Sequence, residues 1–250
     1  MQEAALEVRN VTKSYRKSGI FSRQRQQILK GVSFTVPEGH CLGIIGESGS
    51  GKSTLGRLIL GIEKPDSGDV LLYGKPVLKR GNRQKVISAV FQDYTSSICP
   101  NQTVYGAIQE TMQQMHLPCD RETAGALMER VGLDGTYLDR YQHELSGGQT
   151  QRVCIARVIA VQPKFLVLDE AISSLDVSVQ VQILQFLKQL REETKMSYLF
   201  ITHDIQAATF LCDSLIFFNA GQIVEQVAVE DIAKVRQPYS QKLLHAVITV

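Results

Sequence analysis

The stretch HCLGIIGESGSGKSTLGRLIL, residues 40–60, predicts a strand, a glycine-rich loop and a helix in immediate succession. Apolar residues dominate its first six positions, which is typical of a buried strand. From Lys52 to Leu60 the apolar residues recur at helical spacing instead. The glycines between the two segments let the backbone curl tightly. A strand that continues through such a loop into a helix indicates an α/β fold.

The loop matches the pattern GxxxxGK[ST], with Gly46 at its start and Gly51, Lys52 and Ser53 at its end. Successive backbone N–H groups in such a loop point inward at phosphate oxygens, and the following helix N-terminus adds its positive dipole end. Lys52 places a cation on the β- and γ-phosphates, and the Ser53 hydroxyl is suited to ligate Mg²⁺. We therefore predict a site for the phosphates of a nucleotide.

A second apolar strand, residues 165–168, ends in the carboxylate pair Asp169 and Glu170. Open α/β sheets bind their ligands at the carboxyl ends of strands, so Asp169 is placed to hold Mg²⁺ through water. Glu170 is placed to polarise an attacking water as a general base. The same pair could instead cap a helix and add an acid to its first turn. The phosphate loop upstream favours the catalytic interpretation.

Two more polar residues follow buried strands. His203 comes after the apolar run SYLFIT, and we expect its strand to lie beside the strand of Asp169. Gln92 ends the apolar run KVISAVFQ, and its carbonyl could ligate Mg²⁺ and hold the attacking water. A single histidine or glutamine at a strand end is more often structural, so both assignments depend on the phosphate loop.

Strand and helix patterns alternate along the chain with short connections, which favours a mostly parallel sheet covered by helices. Residues 103–160 are mostly helical in pattern. A long helix is predicted at 176–195, with one apolar stripe expected to face the core. That stripe comprises Val177, Val181, Leu184 and Leu187. A hairpin with Gly at its turn is predicted at 214–226, and the last twenty or so residues look helical.

Composition limits the classes of function. The 250 residues and 44% apolar content suit one large α/β domain, and a net charge of +2 makes no general case for nucleic-acid binding. The five cysteines form no CxxC pair, so zinc and iron–sulfur sites lack their usual spacing. No apolar run approaches the roughly 18 residues of a membrane-spanning helix, and the N-terminus lacks a signal-peptide core. We expect a chain that does not cross a membrane but could dock onto a membrane protein.

A basic segment, residues 16–27, is predicted as a lengthened hairpin loop. Its cations are Arg16, Lys17, Arg23 and Arg25. A nucleic-acid patch is the alternative, but stacking aromatics are missing beyond Phe21, so a solvated insertion is favoured.

Together these motifs indicate a known protein family. The chain resembles the ATP-binding subunits of ABC transporters over nearly its whole length. The matching motifs, in chain order, are Tyr15 of the A-loop, GESGSGKS of Walker A, Gln92 of the Q-loop, LSGGQ at 145–149, FLVLDE of Walker B, SSLD at 173–176 of the D-loop, and His203 of the H-loop.

The resemblance implies a role for each of these residues. The implied ATP contacts are Tyr15, Gly46, Glu47, Ser48, Gly49, Ser50, Gly51, Lys52, Ser53, Thr54 and Gln92. Catalysis is implied for Glu170 and His203, and Mg²⁺ ligation for Ser53, Gln92 and Asp169. It also implies one ABC ATPase domain over 1–250: a core of 1–92 and 161–250 that includes an antiparallel β subdomain, and an inserted helical subdomain over 93–160.

The segment LSGGQ, residues 145–149, resembles the ABC signature and is a second glycine-rich segment far from the phosphate loop. The resemblance implies why one chain carries both. In this family two subunits pack head to tail, and the signature of one closes on the ATP held by the other. The residues implied to act in trans are Ser146, Gly147, Gly148, Gln149 and Asp176. A serine and two glycines before a helical stretch from Gln149 also make an anion-binding helix N-terminus.

Several short segments resemble the peptide/nickel importer branch of the family, notably SLDVSVQVQIL and QPYSQKLL. They are similar to nickel-import ATP-binding subunits. The resemblance implies a peripheral subunit on the cytoplasmic face of the cell membrane. Its partners would be a second ATPase subunit, two permease subunits and, indirectly, an extracytoplasmic solute-binding protein. Nickel or a metal chelate is favoured as cargo, with di- or oligopeptides as the alternative. An ABC-type ATPase acting on nucleic acid is a remote alternative.

Three departures from the branch stand out. Thr150 stands where the branch commonly has a basic or large residue, and Gln142 stands where it commonly has a proline. Residues 94–102 lack the Pro- and Asn-rich sequence that is usual there. The last segment is expected to face the membrane subunits, so these departures concern partner choice more than ATP chemistry.

Overall fold

The computed structural model describes residues 3–16, 25–83, 85–92, 97–173 and 175–248. Its strands are β1 (Ala4–Arg16), β2 (Arg25–Pro37), β3 (Cys41–Ile45), β4 (Ser67–Leu72), β5 (Lys75–Pro76), β6 (Ile87–Val90), β7 (Phe165–Asp169), β8 (Ser197–Thr202), β9 (Ser214–Asn219) and β10 (Gln222–Ala228). Its helices are α1 (Lys52–Ile59), α2 (Arg80–Arg83), α3 (Val104–Gln114), α4 (Arg121–Arg130), α5 (Gly147–Ala160), α6 (Val177–Thr194), α7 (Ile205–Leu211) and α8 (Pro238–Ile248). Short 3₁₀ turns cover Gly135–Asp139, Gln142–Glu144 and Val229–Lys234.

A six-stranded sheet with the order β10-β9-β3-β8-β7-β6 forms the centre of the molecule. The strands from β9 to β6 pair in parallel, and the edge strand β10 runs antiparallel. The parallel strands end at one edge, so the segments after β3, β6, β7 and β8 meet there. The predicted α/β class is confirmed, and β8 pairs directly with β7, as expected for the strands before His203 and Asp169.

A four-stranded antiparallel sheet, of order β2-β1-β4-β5, is the second layer. Its first two strands run further than the sequence predicted, because Arg16 pairs with Arg25 in the ladder. These two cations of the basic segment are therefore strand residues, not loop residues. The error has a physical reason: the end of this hairpin is polar, so no apolar alternation marks its strands. Lys17 and Arg23 lie outside the described residues.

Two apolar clusters form the core, and β7 contributes to both. Phe165 and Val167 pack in the cluster between the two sheets, which also holds residues of α1. Leu166 and Leu168 pack on the opposite face, in a cluster shared with α3, α4 and α5. Because β7 is buried on both faces, it reads as a continuous apolar run. The helical segment thus shares its core with the sheet, and the division of the chain at 93 and 160 stays a prediction.

The predicted stripe of α6 is partly wrong. Leu184 and Leu187 are buried, but Val177 and Val181 are 75% and 44% exposed. The buried residues of this helix lie from Ile183 onward. Its first turns extend past the edge of the core, where apolar periodicity no longer reports burial.

Smaller differences concern element ends. Strand β6 ends at Val90, two residues before Gln92, and the C-terminal region is a 3₁₀ turn followed by α8, not one helix. The predicted hairpin turn between β9 and β10 is present, with positive φ at Ala220 and Gly221, as in type I′ turns. In the described part of the chain, no helix combines the length and the apolar character needed to span a bilayer.

Candidate active site

A cleft of about 390 Å³ opens where the parallel strands end. Several predicted site residues line it, and they come from segments far apart in sequence. The lining consists of Tyr15, Ile28, Ser48, Gly49, Gly51, Lys52, Ser53, Thr54, Gln92 and Glu170. A larger groove of about 620 Å³, which includes Ile62 and Met115, contains none of the phosphate-loop residues. Chemistry, not size, identifies the smaller cleft as the candidate site.

The phosphate loop needs glycine for two separate reasons. Gly51 precedes α1 with φ at 107°, a conformation that other residues rarely adopt. Gly46 instead needs space, because a Cβ there would lie 2.1 Å from the carbonyl oxygen of Phe218 on β9. The loop is therefore pressed against the end of β9 where it leaves β3.

Lys52 is buried beneath the loop and bonded to it. Its Nζ donates to the carbonyl oxygens of Gly46 at 2.7 Å and Glu47 at 2.9 Å. Burial lowers the pKa of Lys52, although the carboxylates of Glu170 and Asp169 act in the opposite direction. A phosphate in the cleft offers this ammonium a charged partner in place of two neutral carbonyls, which strengthens the interaction.

Asp169, at the end of β7, is buried and faces the start of α1. It accepts a hydrogen bond from Ser53 Oγ at 3.3 Å. Burial raises the pKa of Asp169, and the Ser53 hydrogen bond acts against that rise. The Ser53 and Asp169 oxygens lie side by side, and Ser53 and Gln92 both line the cleft. Oxygen donors are the ligands that Mg²⁺ prefers, so this set fits the ion.

Glu170 adopts a left-handed backbone conformation, with φ at 50°. Its N–H still donates to Ile201 O at 2.9 Å, so the pairing with β8 continues to this point. Its carboxylate lines the cleft and lies 3.7 Å from His203 Nδ1. A left-handed residue other than glycine is strained, and such strain is concentrated at functional sites. The local twist directs Glu170 to a different place from Asp169.

Tyr15, near the end of β1, also lines the cleft. Its hydroxyl donates to Glu63 Oε2 at 2.5 Å. Burial acts to raise the pKa of Glu63, but hydrogen bonds from Tyr15 and two neighbouring cations outweigh it, so this pKa is lowered. The two cations are Lys13, at 3.2 Å, and Arg57, at 2.9 Å. Glu63 was missed by sequence reasoning because it lies in a segment whose only pattern is that of a turn.

The signature residues lie outside the lining of the cleft. Helix α5 begins at Gly147, two residues before the predicted start at Gln149, and Ser146 is its N-cap. The Ser146 Oγ accepts from Gln149 N, while the Gln149 side chain accepts from Ser146 N, which completes a capping box. Propensity misplaced the start because two glycines rarely begin a helix, whereas this capping box favours it. Ser146 and Gly147 are exposed, so this helix N-terminus is open to an anion.

The D-loop packs against the signature within the same chain. A Cβ on Gly148 would lie 3.0 Å from the side chain of Leu175. Asp176, the next residue, is exposed and caps α6 by accepting from Val179 N at 3.0 Å. Asp176 therefore also lies outside the cleft of its own chain.

The three departures have different structural settings. Thr150 is buried, and its hydroxyl donates to Ser146 O at 3.1 Å, so it supports the first turn of α5 from below. Gln142 lies in the 3₁₀ turn that precedes the signature. Of residues 94–102, positions 94–96 lie outside the described residues, and the Ser97 carbonyl accepts a hydrogen bond from Arg157.

A family model described as ABC transporter matches residues 29–173, more than half of the chain. The chain belongs to the ABC transporter family. It is an ATPase of that family, and the ATP-binding subunits of importers are among its relatives. The resemblance that the motifs indicated is thereby confirmed.

Three ABC relatives place the chain among importer subunits. The metal-staphylopine import system ATP-binding protein CntF of Staphylococcus aureus is 51% identical over 96% of this chain and 97% of its own length. The nickel import ATP-binding protein NikE of Rhodospirillum rubrum is 37% identical over 97% of this chain and 91% of its own. The oligopeptide transport ATP-binding protein AppF of Bacillus subtilis is 36% identical over 98% of this chain and 79% of its own.

A solved ABC cassette shares the fold. The dimeric post-hydrolysis state of the cassette MJ0796, bound to ADP and Pi, matches with a TM-score of 0.82 and 28% identity. The match covers 90% of this chain and 98% of that cassette. A cassette of this fold is thus known as a dimer.

Proposed function

We propose that this chain supplies the energy for an importer of nickel or a metal chelate, paired with a second ATPase subunit beneath a membrane permease. The division of the site carries this proposal. Lys52 and Glu170 line one cleft, whereas the exposed Ser146 and Gly147 lie outside that lining. A second cassette, arranged head to tail, would complete the cleft with its own signature, and the dimeric relative supports this arrangement.

The catalytic step that fits this geometry is hydrolysis of ATP by water. Lys52 leaves its two loop carbonyls for the β- and γ-phosphates, and the loop N–H groups hold the phosphate oxygens. Glu170 accepts a proton from the attacking water. His203, beside Glu170, orients that carboxylate and contacts the γ-phosphate.

Ser53, Asp169 and Gln92 would hold Mg²⁺ in this cleft. When bound, Mg²⁺ stabilises the charge that builds on the phosphate oxygens. The hydrogen bond from Ser53 keeps one Asp169 oxygen aimed at the loop before any ion is present.

In the dimer, the γ-phosphate joins two chains. Ser146 and the N–H groups at the start of α5 would contact the phosphate bound by the partner cassette, with Asp176 beside them. Loss of the γ-phosphate removes that link, so hydrolysis releases the two cassettes. This rigid-body switch would act on the permease at the cytoplasmic face of the membrane.

Tyr15 is proposed to stack on adenine, and two substitutions separate its ring from its hydroxyl. Tyr15→Ala is expected to weaken ATP binding by about tenfold, because base–aromatic stacking contributes roughly 1–3 kcal/mol. Tyr15→Phe keeps the ring and loses only the bond to Glu63, so its Kd for ATP should stay close to that of the unchanged chain. Equilibrium titration with a fluorescent ATP analogue measures both. Equal losses in the two variants would contradict stacking.

The relatives support a metal cargo. The relative with 51% identity imports a metal chelate by name, while the nickel and oligopeptide relatives stand at 37% and 36%. A metal, free or chelated, is therefore favoured over a peptide. The solute-binding protein and the permease would select it, since the cleft of this chain is proposed to bind nucleotide.

A transport assay decides between the cargoes. The chain is expressed together with candidate permease subunits and a candidate second ATPase subunit, in cells that lack their own importers of metal and peptide. Uptake of radioactive nickel, with and without a chelator, is compared with uptake of a labelled peptide. We expect metal uptake that disappears when the chain carries Glu170→Gln. Uptake of the peptide alone would contradict the metal cargo.

A further inference from the structure

The segment QPYSQKLL, residues 237–244, marks the importer branch but has no part in the ATP chemistry described so far. It forms the start of α8, at the opposite end of the chain from the phosphate loop. The fold nevertheless brings the two into contact. Tyr239 and Lys242, one helical turn apart, both reach Glu47, the second residue of the loop.

The Tyr239 hydroxyl bridges the loop and β9. It accepts a hydrogen bond from the backbone N–H of Glu47 at 3.1 Å and donates to Phe218 O at 3.5 Å. A phenolic hydroxyl has one proton to give and lone pairs to accept with, so both roles are satisfied at once. Phe218 O is also the atom that a Cβ on Gly46 would strike. The bridge therefore spans the point where the loop presses on the sheet.

Glu47 is held at three of its groups. Its N–H is bound by Tyr239, its carbonyl accepts from Lys52 at 2.9 Å, and its carboxylate lies 3.3 Å from Lys242 Nζ. The pair with Lys242 is largely exposed, so it contributes little. When Lys52 turns to the phosphates, the Glu47 carbonyl keeps its bond from the backbone N–H of Ser50, at 3.3 Å. The Tyr239 hydroxyl then remains a contact that fixes the Glu47 N–H from outside the loop.

The position of Tyr239 is itself well determined. The Glu225 carboxylate on β10 accepts from the backbone N–H groups of Arg236 at 2.8 Å and Gln237 at 3.2 Å. Ser240, next to Tyr239, is fully buried. The chain is thus tied to β10 just before Tyr239, and Ser240 just after it is packed in the interior, so the Tyr239 hydroxyl can act as a fixed point.

We propose that Tyr239 is a positioning residue of the ATP site, which holds the first turn of the phosphate loop in its phosphate-binding shape. It acts through Glu47 and does not touch the nucleotide. The proposal rests on the ATP site proposed above. Because a preformed loop favours ground state and transition state equally, Tyr239 affects binding more than turnover.

The test compares Tyr239→Phe with Tyr73→Phe in the full chain. The control also deletes a hydroxyl that donates to a backbone carbonyl, Lys164 O at 3.1 Å, but outside the cleft. We expect Tyr239→Phe to raise Kd and KM for Mg-ATP by about two- to tenfold, the range of one lost hydrogen bond, with kcat within about twofold. The control should change neither constant. Both variants should melt at similar temperatures without nucleotide.

A second variant changes a surface charge and leaves the buried side chains around Tyr239 unchanged. Lys242→Glu lies on the surface and places a like charge against Glu47, so ATP binding should weaken at low salt and recover as salt screens the pair. Hydrogen exchange adds an independent readout: the Glu47 amide should exchange faster in Tyr239→Phe, with the β7 amides unchanged. Unchanged ATP affinity and unchanged exchange in Tyr239→Phe would overturn the proposal while leaving the ATP site intact. Failure of the unsubstituted chain to bind ATP would overturn both.

Discussion

Glu170→Gln is expected to keep ATP binding and to slow hydrolysis by about 10²-fold or more, the usual cost of removing one preorganised catalytic group. Glutamine has nearly the same shape but cannot accept a proton from water. The contact with His203 and the backbone bond to Ile201 can remain, so the cleft should persist. The variant should therefore accumulate with ATP bound and hold two cassettes together.

Single-turnover kinetics and filter binding measure the two halves of this prediction. Glu129→Gln, on the exposed face of α4, is the matched control and should hydrolyse ATP normally. Normal turnover by Glu170→Gln would show that the general base is another residue. Loss of ATP binding would instead show that this carboxylate serves the binding of nucleotide.

Ser146→Arg combined with Gly148→Asp is expected to reduce the rate of ATP turnover by about 10²-fold or more, while the chain still binds ATP. Both residues lie outside the cleft lining of their own chain, so the phosphate loop should be unaffected. The arginine places a bulky side chain on the exposed N-terminus of α5. The aspartate places a negative charge where the partner's phosphate would bind, so the two repel each other. It also displaces Leu175, which a Cβ on Gly148 would meet at 3.0 Å.

The control for this pair is Ser146→Ala, which loses the capping bond, worth about 1 kcal/mol of helix stability, and the proposed hydroxyl contact with the phosphate, but keeps the N–H groups at the start of α5. It should retain part of the turnover. Mixing the signature variant with Lys52→Ala adds a sharper comparison, because one intact loop and one intact signature then meet in a mixed dimer. Regained turnover would show that this chain pairs with itself. Full turnover by the unmixed signature variant would contradict a site shared between chains.

The predictable part of the site consists of residues that follow a buried strand or begin a helix. Asp169, Glu170 and His203 were predicted as site residues because parallel strands end at one edge of a sheet. Lys52 and Ser53 were located because a strand, a glycine loop and a helix leave little choice of backbone path. Lys52, Ser53 and Glu170 line the cleft, while Asp169 accepts a hydrogen bond from Ser53 and His203 lies beside Glu170.

The residues missed by sequence reasoning act through contacts between distant segments. Glu63 holds Tyr15, and Tyr239 holds Glu47, although neither carries a local pattern that names its partner. The prediction that the start of α6 faces the core was wrong for a related reason. Periodicity shows that Val177 and Val181 share a stripe, but not where the core ends beneath it. Such contacts depend on how the two sheets and α8 are assembled, which spacing alone does not encode.

The central claim is that one chain holds only half of the catalytic site. Sedimentation velocity of the Glu170→Gln chain, with Mg-ATP and with Mg-ADP, tests it most directly, with the unsubstituted chain assayed for turnover in parallel. The account predicts a two-cassette assembly in ATP, formed with itself or with the sister ATPase, and single cassettes in ADP. A chain that hydrolyses ATP while it sediments as a single cassette would contradict the account.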